Sequence, residues 1–274
     1  MSHVHDMAKS GFGTGTNDLY DRARPSYPAP ALSFMQSQMP QEGTFNLVEI
    51  GSGTGLFTRA LLATPWWNEH LGSLHAVEPS EGMREVFNTK THDPRVTCSE
   101  GTFTQTNESA GWADAVVIAQ AYHWAHPDYD AASREIARVL KPNGTAFFIW
   151  NMEDRETAKW VAAVRELYET YENDTPQFRL NKWEVTFGTQ GYVSSFHPPK
   201  RFTTEWMVPT TFTGVQDRVL SKSYITQISQ EEKEDLCTKI TSVLENNDKT
   251  WIDEASGVFE YPYQTTVIAM KKLN

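Results

Sequence analysis

Glycines at every second position, Gly51-Ser52-Gly53-Thr54-Gly55, follow the apolar run Phe45 to Ile50 and lead at once into the helix-like Leu56 to Leu62. A strand, a glycine turn and a helix start, in that order, bring bare backbone against a nucleotide-like ligand. Glycine permits the tight turn and the close approach, and the first helical N–H groups are unpaired. A dinucleotide fingerprint, G-x-G-x-x-G, would need glycine where Leu56 stands. The spacing is G-x-G-x-G instead, with Glu49 two residues before the first glycine. Downstream, Ser73 to Val77 reads as a second strand ending in Glu78. A carboxylate there can accept hydrogen bonds from both hydroxyls of a ribose. Ribose occurs in several cofactors, so Glu78 points to an adenosine ligand without choosing among them. Pro79-Ser80-Glu81-Gly82-Met83 follows, and Met83 suits either an adenine face or the core of a helix over 81–88.

These residues need a scaffold, and the flanking pattern supplies one. Strands are predicted at 45–50, 73–78, near 95–99, at 113–119 and at 145–150, with helices at 55–63, 81–88 and 128–140 between them. Nearly continuous apolar strands separated by helices imply a parallel sheet covered on both faces. Lys141-Pro142-Asn143-Gly144 supplies a helix stop before the fifth strand. Pro28 and Pro30 open a helix over 31–38. After Trp150 the alternation loosens: a helix at 156–171, an irregular aromatic stretch to 200, a strand at 201–208, helices at 212–224 and 229–246, and a last strand at 264–271. The expected fold is α/β, a Rossmann-like doubly wound sheet of seven strands closed by an antiparallel hairpin. Residues 1–43 form an N-terminal lid segment and 44–151 the ligand-binding core. Residues 152–274 complete the sheet and add a helical lid from about 152–200 and 210–258, over the C-terminal strand ends where such folds bind ligands.

Composition narrows the function classes. With 274 residues the chain suits one large domain or a domain with a cap. A net charge of −11 and the lack of a Lys/Arg stripe argue against a nucleic-acid partner. No apolar run reaches the roughly 18–20 residues of a membrane span, and Met1 to Thr16 lacks the apolar core of a secretory signal. Cys98 and Cys237 cannot build a disulfide framework, so a reduced, cytoplasmic setting is the expectation. His3 and His5 read as incidental, and no metal-ligand spacing is seen.

Taken with Tyr20-x-x-x-Arg24-Pro25-x-Tyr27-Pro28, Ala119-Gln120-Ala121-Tyr122-His123-Trp124 and the run Arg218 to Tyr224, the glycine loop and Glu78 give a specific resemblance. The chain resembles the class I S-adenosyl-L-methionine (SAM) dependent methyltransferases, in the small-molecule branch typified by trans-aconitate methyltransferase. The resemblance covers most of the chain and implies SAM as methyl donor, S-adenosyl-L-homocysteine as product, and a small organic acceptor. It implies that Gly51, Ser52, Gly53 and Gly55, led by Glu49, face the methionine part of SAM. Glu78 and Pro79 would hold the ribose, Met83, Thr102 and Phe103 would flank the adenine, and Gln120 would floor the sulfonium. Tyr20 and Arg24 would reach in from the N-terminal segment, Arg24 toward the SAM carboxylate.

Methyl transfer from a sulfonium is an in-line displacement in which the protein chiefly positions the acceptor and excludes water. A carboxylate acceptor needs no base, whereas a phenol or ammonium does. His123, whose imidazole ordinarily titrates near neutrality, is the candidate base; orienting the acceptor by a hydrogen bond is the alternative. Trp124, Asn151 and Tyr27 are candidate acceptor contacts. Arg218, Lys222 and Tyr224 would meet an anionic acceptor or else form a solvated helix face. Trp183, Phe187, Tyr192, Phe196 and Trp206 would line an apolar pocket or belong to the core. Carboxyl O-methylation leads, ahead of amine, phenol or other metabolite methylation. A SAM-binding protein without methyl transfer is the rival of another class. Base-methylating enzymes of nucleic acids are disfavoured: Gln120-Ala121-Tyr122-His123 stands where Asp/Asn-Pro-Pro-aromatic would be, and neither cysteine follows a proline.

Overall fold

The computed structural model describes residues 17–274, so His3 and His5 lie outside the described residues. Two short N-terminal helices, α1 (Asn17–Ala23) and α2 (Ala29–Ser37), precede the sheet, and Pro28 caps α2 as its sequence predicts. The core then runs β1 (Phe45–Ile50), α3 (Leu56–Leu62), α4 (Pro65–His70), β2 (Leu71–Val77), α5 (Glu81–Lys90) and β3 (Val96–Ser99). It continues with β4 (Ala113–Ala119), α6 (Tyr129–Val139) and β5 (Leu140–Glu153). The rest contains α7 (Lys159–Glu169), 3-10 turns at Phe178–Leu180 and Lys182–Gly188, α8 (Gln190–Val193) and β6 (Lys200–Thr210). It ends with α9 (Phe212–Leu220), α10 (Gln230–Glu245), β7 (Trp251–Asp253) and β8 (Val258–Lys271).

The strand order is β3-β2-β1-β4-β5-β8-β6 with β7 added against β8. Pairing is parallel from β3 to β5, and β8 enters antiparallel between β5 and β6. The chain order reverses between β1 and β4, which places the ligand crevice of a doubly wound sheet at their C-terminal ends. Eight strands replace the expected seven. β7 is only three residues, too short for an alternation to show, and it pairs with β8 through Trp251 and Phe259. Helix α6 stops at Val139, but Lys141 to Gly144 lies inside a longer β5 rather than before it. The loop bulges between the pairs Ala113–Leu140 and Ala115–Thr145, with Asn143 at φ 60°. That longer strand matters for the site, because it carries the backbone on to Glu153.

Three apolar clusters explain the layers. Val48, Ile50, Val116, Ile118, Phe148 and Trp150 point to one face, beneath α6. Leu47, Ala115, Val117, Phe147 and Ile149 point to the other, beneath α2 and α3. Burial on both faces is why these strands read as continuous apolar runs. The lid helices α7, α9 and α10 have a core of their own with the start of β8, built on Trp160, Val164, Val219, Ile240, Phe259 and Tyr261. Part of the expected lid does not join them. Trp183, Tyr192 and Phe196 pack in the sheet cluster beside α6, with Phe187 against its edge; Trp206 of β6 packs against the lid core instead and donates to Thr265 Oγ1 at 2.8 Å. Those aromatics are structural, and the cleft takes Phe178 from this stretch instead. Among the described residues no helix is long and apolar enough to cross a membrane.

Candidate functional site

Four loops at the C-terminal strand ends meet in one cleft. After β1 the glycines adopt φ values of 72°, 57° and 83° at Gly51, Gly53 and Gly55. A Cβ on Gly51 would lie 2.8 Å from Ala121 Cβ, so glycine keeps this loop open against the loop after β4. At Gly55 a Cβ would meet the Phe87 ring at 2.8 Å, so glycine here lets α3 pack closely on α5, and Gly55 is not among the residues lining this cleft. After β2, Glu78 stitches two loops together, accepting from Gly53 N at 2.9 Å (Oε2) and from Ser80 N at 2.9 Å (Oε1). Ser80 in turn caps α5 by accepting from Met83 N.

The cleft encloses about 1240 Å³ when its open mouth is counted. Tyr20, Arg24, Gly51, Gly53, Glu78, Pro79, Met83, Thr102, Phe103, Gln120, His123, Trp124, Asn151, Arg218 and Tyr224 all line it. A second cavity of about 400 Å³ shares Tyr20, Arg24, Gly51, Gly53 and Gln120 with it, and adds Tyr27, Glu49, Ser52 and Thr54. Tyr27, expected as an acceptor contact, thus belongs beside Glu49, with its ring edge-on to Phe57 at 5.2 Å.

Glu49 is fully buried. Its Oε2 accepts from Thr58 Oγ1, while Oε1 has no hydrogen-bond partner among the described residues. Burial pushes its carboxyl up to about 8. Ser52 Oγ and Thr54 Oγ1 are buried beside it, with Cys98 and the Asp21 carboxylate as their polar neighbours. A buried polar atom left unpaired is costly, so Glu49 Oε1 lining this cavity marks a place for a polar ligand group.

Gln120 holds φ 57° at the exit of β4 and donates through Nε2 to Asn151 O at 2.8 Å. Asn151 spends its side chain on structure: Nδ2 donates to Ser26 O at 2.9 Å and Oδ1 accepts from Thr265 Oγ1 at 2.6 Å. His123 is buried, and its Nδ1 accepts from Trp150 Nε1 at 3.3 Å. Indole N–H is a donor only, so the ring proton of neutral His123 is on Nε2. Burial, then the nearby Arg24 charge, pushes the imidazole down to about 3. A group that weakly basic is a hydrogen-bond donor at neutral pH and a poor general base.

The lid wall holds the residue that the sequence did not single out. Glu153, at the end of β5, is fully buried and gathers two cations on one oxygen. Arg218 Nη2 lies 2.7 Å and Lys222 Nζ 3.1 Å from its Oε1. Burial raises the Glu153 carboxyl, but Arg218 and Lys222 outweigh it and hold the group well below the usual carboxylate range. Burial and the Arg218 charge push the Lys222 amine down to about 7, against the pull of Glu153. Arg218 and Lys222 are buried at the cleft, so the solvated-face reading of this helix is corrected. Tyr224 OH donates to Glu172 at 3.4 Å. Glu153 went unnoticed because the strand was expected to stop at Trp150, which left it in a loop.

Comparison with known proteins bears on what this arrangement does. Residues 48–148 match the family model described as a methyltransferase domain. An uncharacterised methyltransferase of Mycobacterium tuberculosis (strain ATCC 25618 / H37Rv) is 32% identical over 219 residues, covering 80% of this chain and 79% of that protein. An uncharacterised methyltransferase-like protein of Schizosaccharomyces pombe is 29% identical over 224 residues, 82% of each chain. Among solved structures, the YcgJ protein of Bacillus subtilis superposes with a TM-score of 0.56 at 15% identity, covering 90% of this chain and 100% of that one. Phosphoethanolamine N-methyltransferase 2 of Haemonchus contortus, in complex with S-adenosyl-L-methionine, gives 0.55 at 16% identity, covering 94% and 57%. At such identities the structural likeness speaks for the fold alone.

Proposed function

The chain belongs to the class I SAM-dependent methyltransferases, and from that premise we propose that it methylates a carboxylate oxygen of a small organic acid. SAM is the cofactor, and the residues present fit it. Glu78 offers a carboxylate to a ribose, and Met83 and Phe103 offer apolar surface to an adenine. The unpaired Glu49 Oε1 suits the ammonium of the methionine end, with Arg24 near enough for its carboxylate.

When bound, SAM supplies an electrophilic methyl group on a sulfonium that is a good leaving group. The chain's own residues then have three tasks. Gln120, fixed by Asn151 O, floors the space where the acceptor meets the donor. Tyr20, Trp124 and Phe178 close the cleft with aromatic surface and exclude water. Arg218 and Lys222, with His123 Nε2–H, hold an acceptor oxygen in line. No proton has to be removed from a carboxylate, which agrees with a His123 too weakly basic to remove one.

The observation that carries the carboxylate reading is the pair of buried cations sharing one oxygen of Glu153, which leaves the lid wall positive by up to one charge. The other acids at the cleft, Glu78 and Asp128, belong to the loops after β2 and before α6. A phenol is the second reading, because the Lys222 amine near 7 could take its proton. The test offers methyl-labelled SAM with matched acids, phenols and amines. Label recovered as base-labile methyl esters supports the reading; transfer only to phenols or amines overturns it.

A further inference from the structure

Glu153, Arg218 and Lys222 form a buried ion cluster that opens onto the cleft, and its hydrogen bonding is incomplete. Arg218 is only 4% exposed, and its Nε is buried with no hydrogen-bond partner among the described residues. Lys222 Nζ lies 4.2 Å from the Tyr168 ring centroid and gives one contact to Glu153, while Arg218 occupies the same Oε1 more closely. Tyr168 OH lies 3.4 Å from Glu153 Oε2. The other charged and titratable groups acting on Lys222 and its partners are Arg24 from the segment after α1, Arg165 of α7, Tyr224 beyond α9, and Tyr261 and Tyr263 of β8. One carboxylate thus serves two cations, and the more loosely held of the two faces the space for the acceptor.

We propose that Glu153 is the specificity-determining residue of the acceptor site: it is the resting counter-ion of Arg218 and Lys222, and an ionised acceptor group takes Lys222 from it. This deepens the carboxylate reading and rests on it. The exchange favours acceptors bearing one negative charge at that end. A neutral group cannot replace Glu153 as partner of an ammonium, and a cationic one is repelled by Arg24 and Arg218, and by Lys222 where that is protonated. Above neutral pH the exchange takes up a proton from solvent, because a Lys222 amine becomes an ammonium when the acceptor anion arrives. Removal of either partner changes the charge and not the apolar wall of Phe178 and Trp124.

The test is calorimetric titration of the full chain, saturated with S-adenosylhomocysteine, with acetate, benzoate and phenylacetate and with their neutral amides. Titrations at pH 8 in buffers of different ionisation enthalpy report proton uptake. At least one acid is expected to bind tenfold or more tightly than its amide, with uptake approaching one proton. In Lys222→Met that preference falls tenfold or more while S-adenosylhomocysteine affinity holds. In Lys222→Arg the preference stays and the uptake vanishes, because guanidinium is always charged. Glu153→Gln raises the preference about tenfold, and Glu153→Asp restores the wild-type value. Equal binding of acids and amides, no binding of any acid, a preference that survives Lys222→Met, or one that Glu153→Gln leaves alone or lowers overturns the proposal. If Glu153→Gln does not fold, the two Lys222 variants decide. Acids that bind selectively without becoming esters would leave the exchange standing and sink the esterification reading. Esters formed with no acid-over-amide preference would do the reverse.

Discussion

Arg24 donates to two atoms of Ser221: Nε to Oγ at 3.1 Å and Nη2 to the backbone carbonyl at 3.0 Å. Ser221 caps the C-terminus of α9, and Arg24 follows α1 with its guanidinium 4.3 Å from the Tyr20 ring centroid. Arg24 therefore joins the N-terminal segment to the lid helix at the cleft, beside a more exposed ion pair between Arg22 of α1 and Asp217 of α9 at 3.3 Å. Arg24→Lys loses the planar fork that reaches both atoms. It is expected to weaken SAM binding by about tenfold, on the scale of one charge-assisted hydrogen bond. Calorimetry with SAM checks this; unchanged affinity would place Arg24 in lid closure alone.

Glu78→Ala should cost SAM roughly 10–100-fold in affinity, the equivalent of about 1.5–3 kcal/mol for hydrogen bonds to a charged group. The fold should persist, because Glu78 and Gly53 line the cleft, where the Gly53 N–H that it releases can turn to water. Circular dichroism alongside calorimetry separates the two effects. Loss of fold, or SAM affinity that does not move, would contradict the ribose assignment.

Much of this was legible in the sequence, for physical reasons. Glycine spacing, apolar strands and the acid at the tip of β2 are local features, so β1, β2 and β4 and the residues Gly51, Gly53, Glu78 and Met83 came directly from them. Arg218 and Lys222 could be named but not placed, since helix periodicity does not show which face a lid presents. Glu153 was invisible for a different reason. A single acid at a strand end has no pattern, and its meaning arises only when α9 and the turn after it bring in Arg218 and Lys222, 65 and 69 positions further along the chain.

The pH dependence of stability follows from Glu49. Its carboxyl titrates near 8 when folded, against the ordinary value of 4.5. Between those values the unfolded chain has lost this proton while the folded chain keeps it. The protonated group's contribution is therefore full below about 4.5 and is lost as pH rises toward 8. At about 1.4 kcal/mol per pKa unit the loss is on the order of several kcal/mol. Glu49→Gln removes the titration, so the ligand-free variant should be more stable than wild type at pH 8 and have a flatter profile from 4.5 to 8. Its SAM affinity should fall with the ammonium partner gone. Thermal melts across pH check the first expectation; parallel profiles for both proteins would contradict it.

Two glycine substitutions should differ in kind. Gly51→Ala forces a Cβ to 2.8 Å from Ala121 at φ 72°, whereas the nearest atom to a Cβ on Gly53 is Met83 Sδ at 3.8 Å, at φ 57°. Both carry the left-handed backbone cost of about 1–2 kcal/mol. Only Gly51→Ala also presses the glycine loop against the loop after β4, so it should lower the melting temperature more. Equal shifts would mean that the loops are free to part.

The central claim is methyl transfer to a carboxylate, and the most direct measurement is the chemical identity of the product. The purified protein would be incubated with methyl-deuterated SAM and the panel of acids, phenols and amines, with the Glu78→Ala variant in parallel. The account predicts deuterated methyl esters and an equal yield of S-adenosylhomocysteine, both much reduced in the variant at low SAM. Label on nitrogen, carbon or a phenol oxygen only, or SAM bound but never consumed, would contradict it.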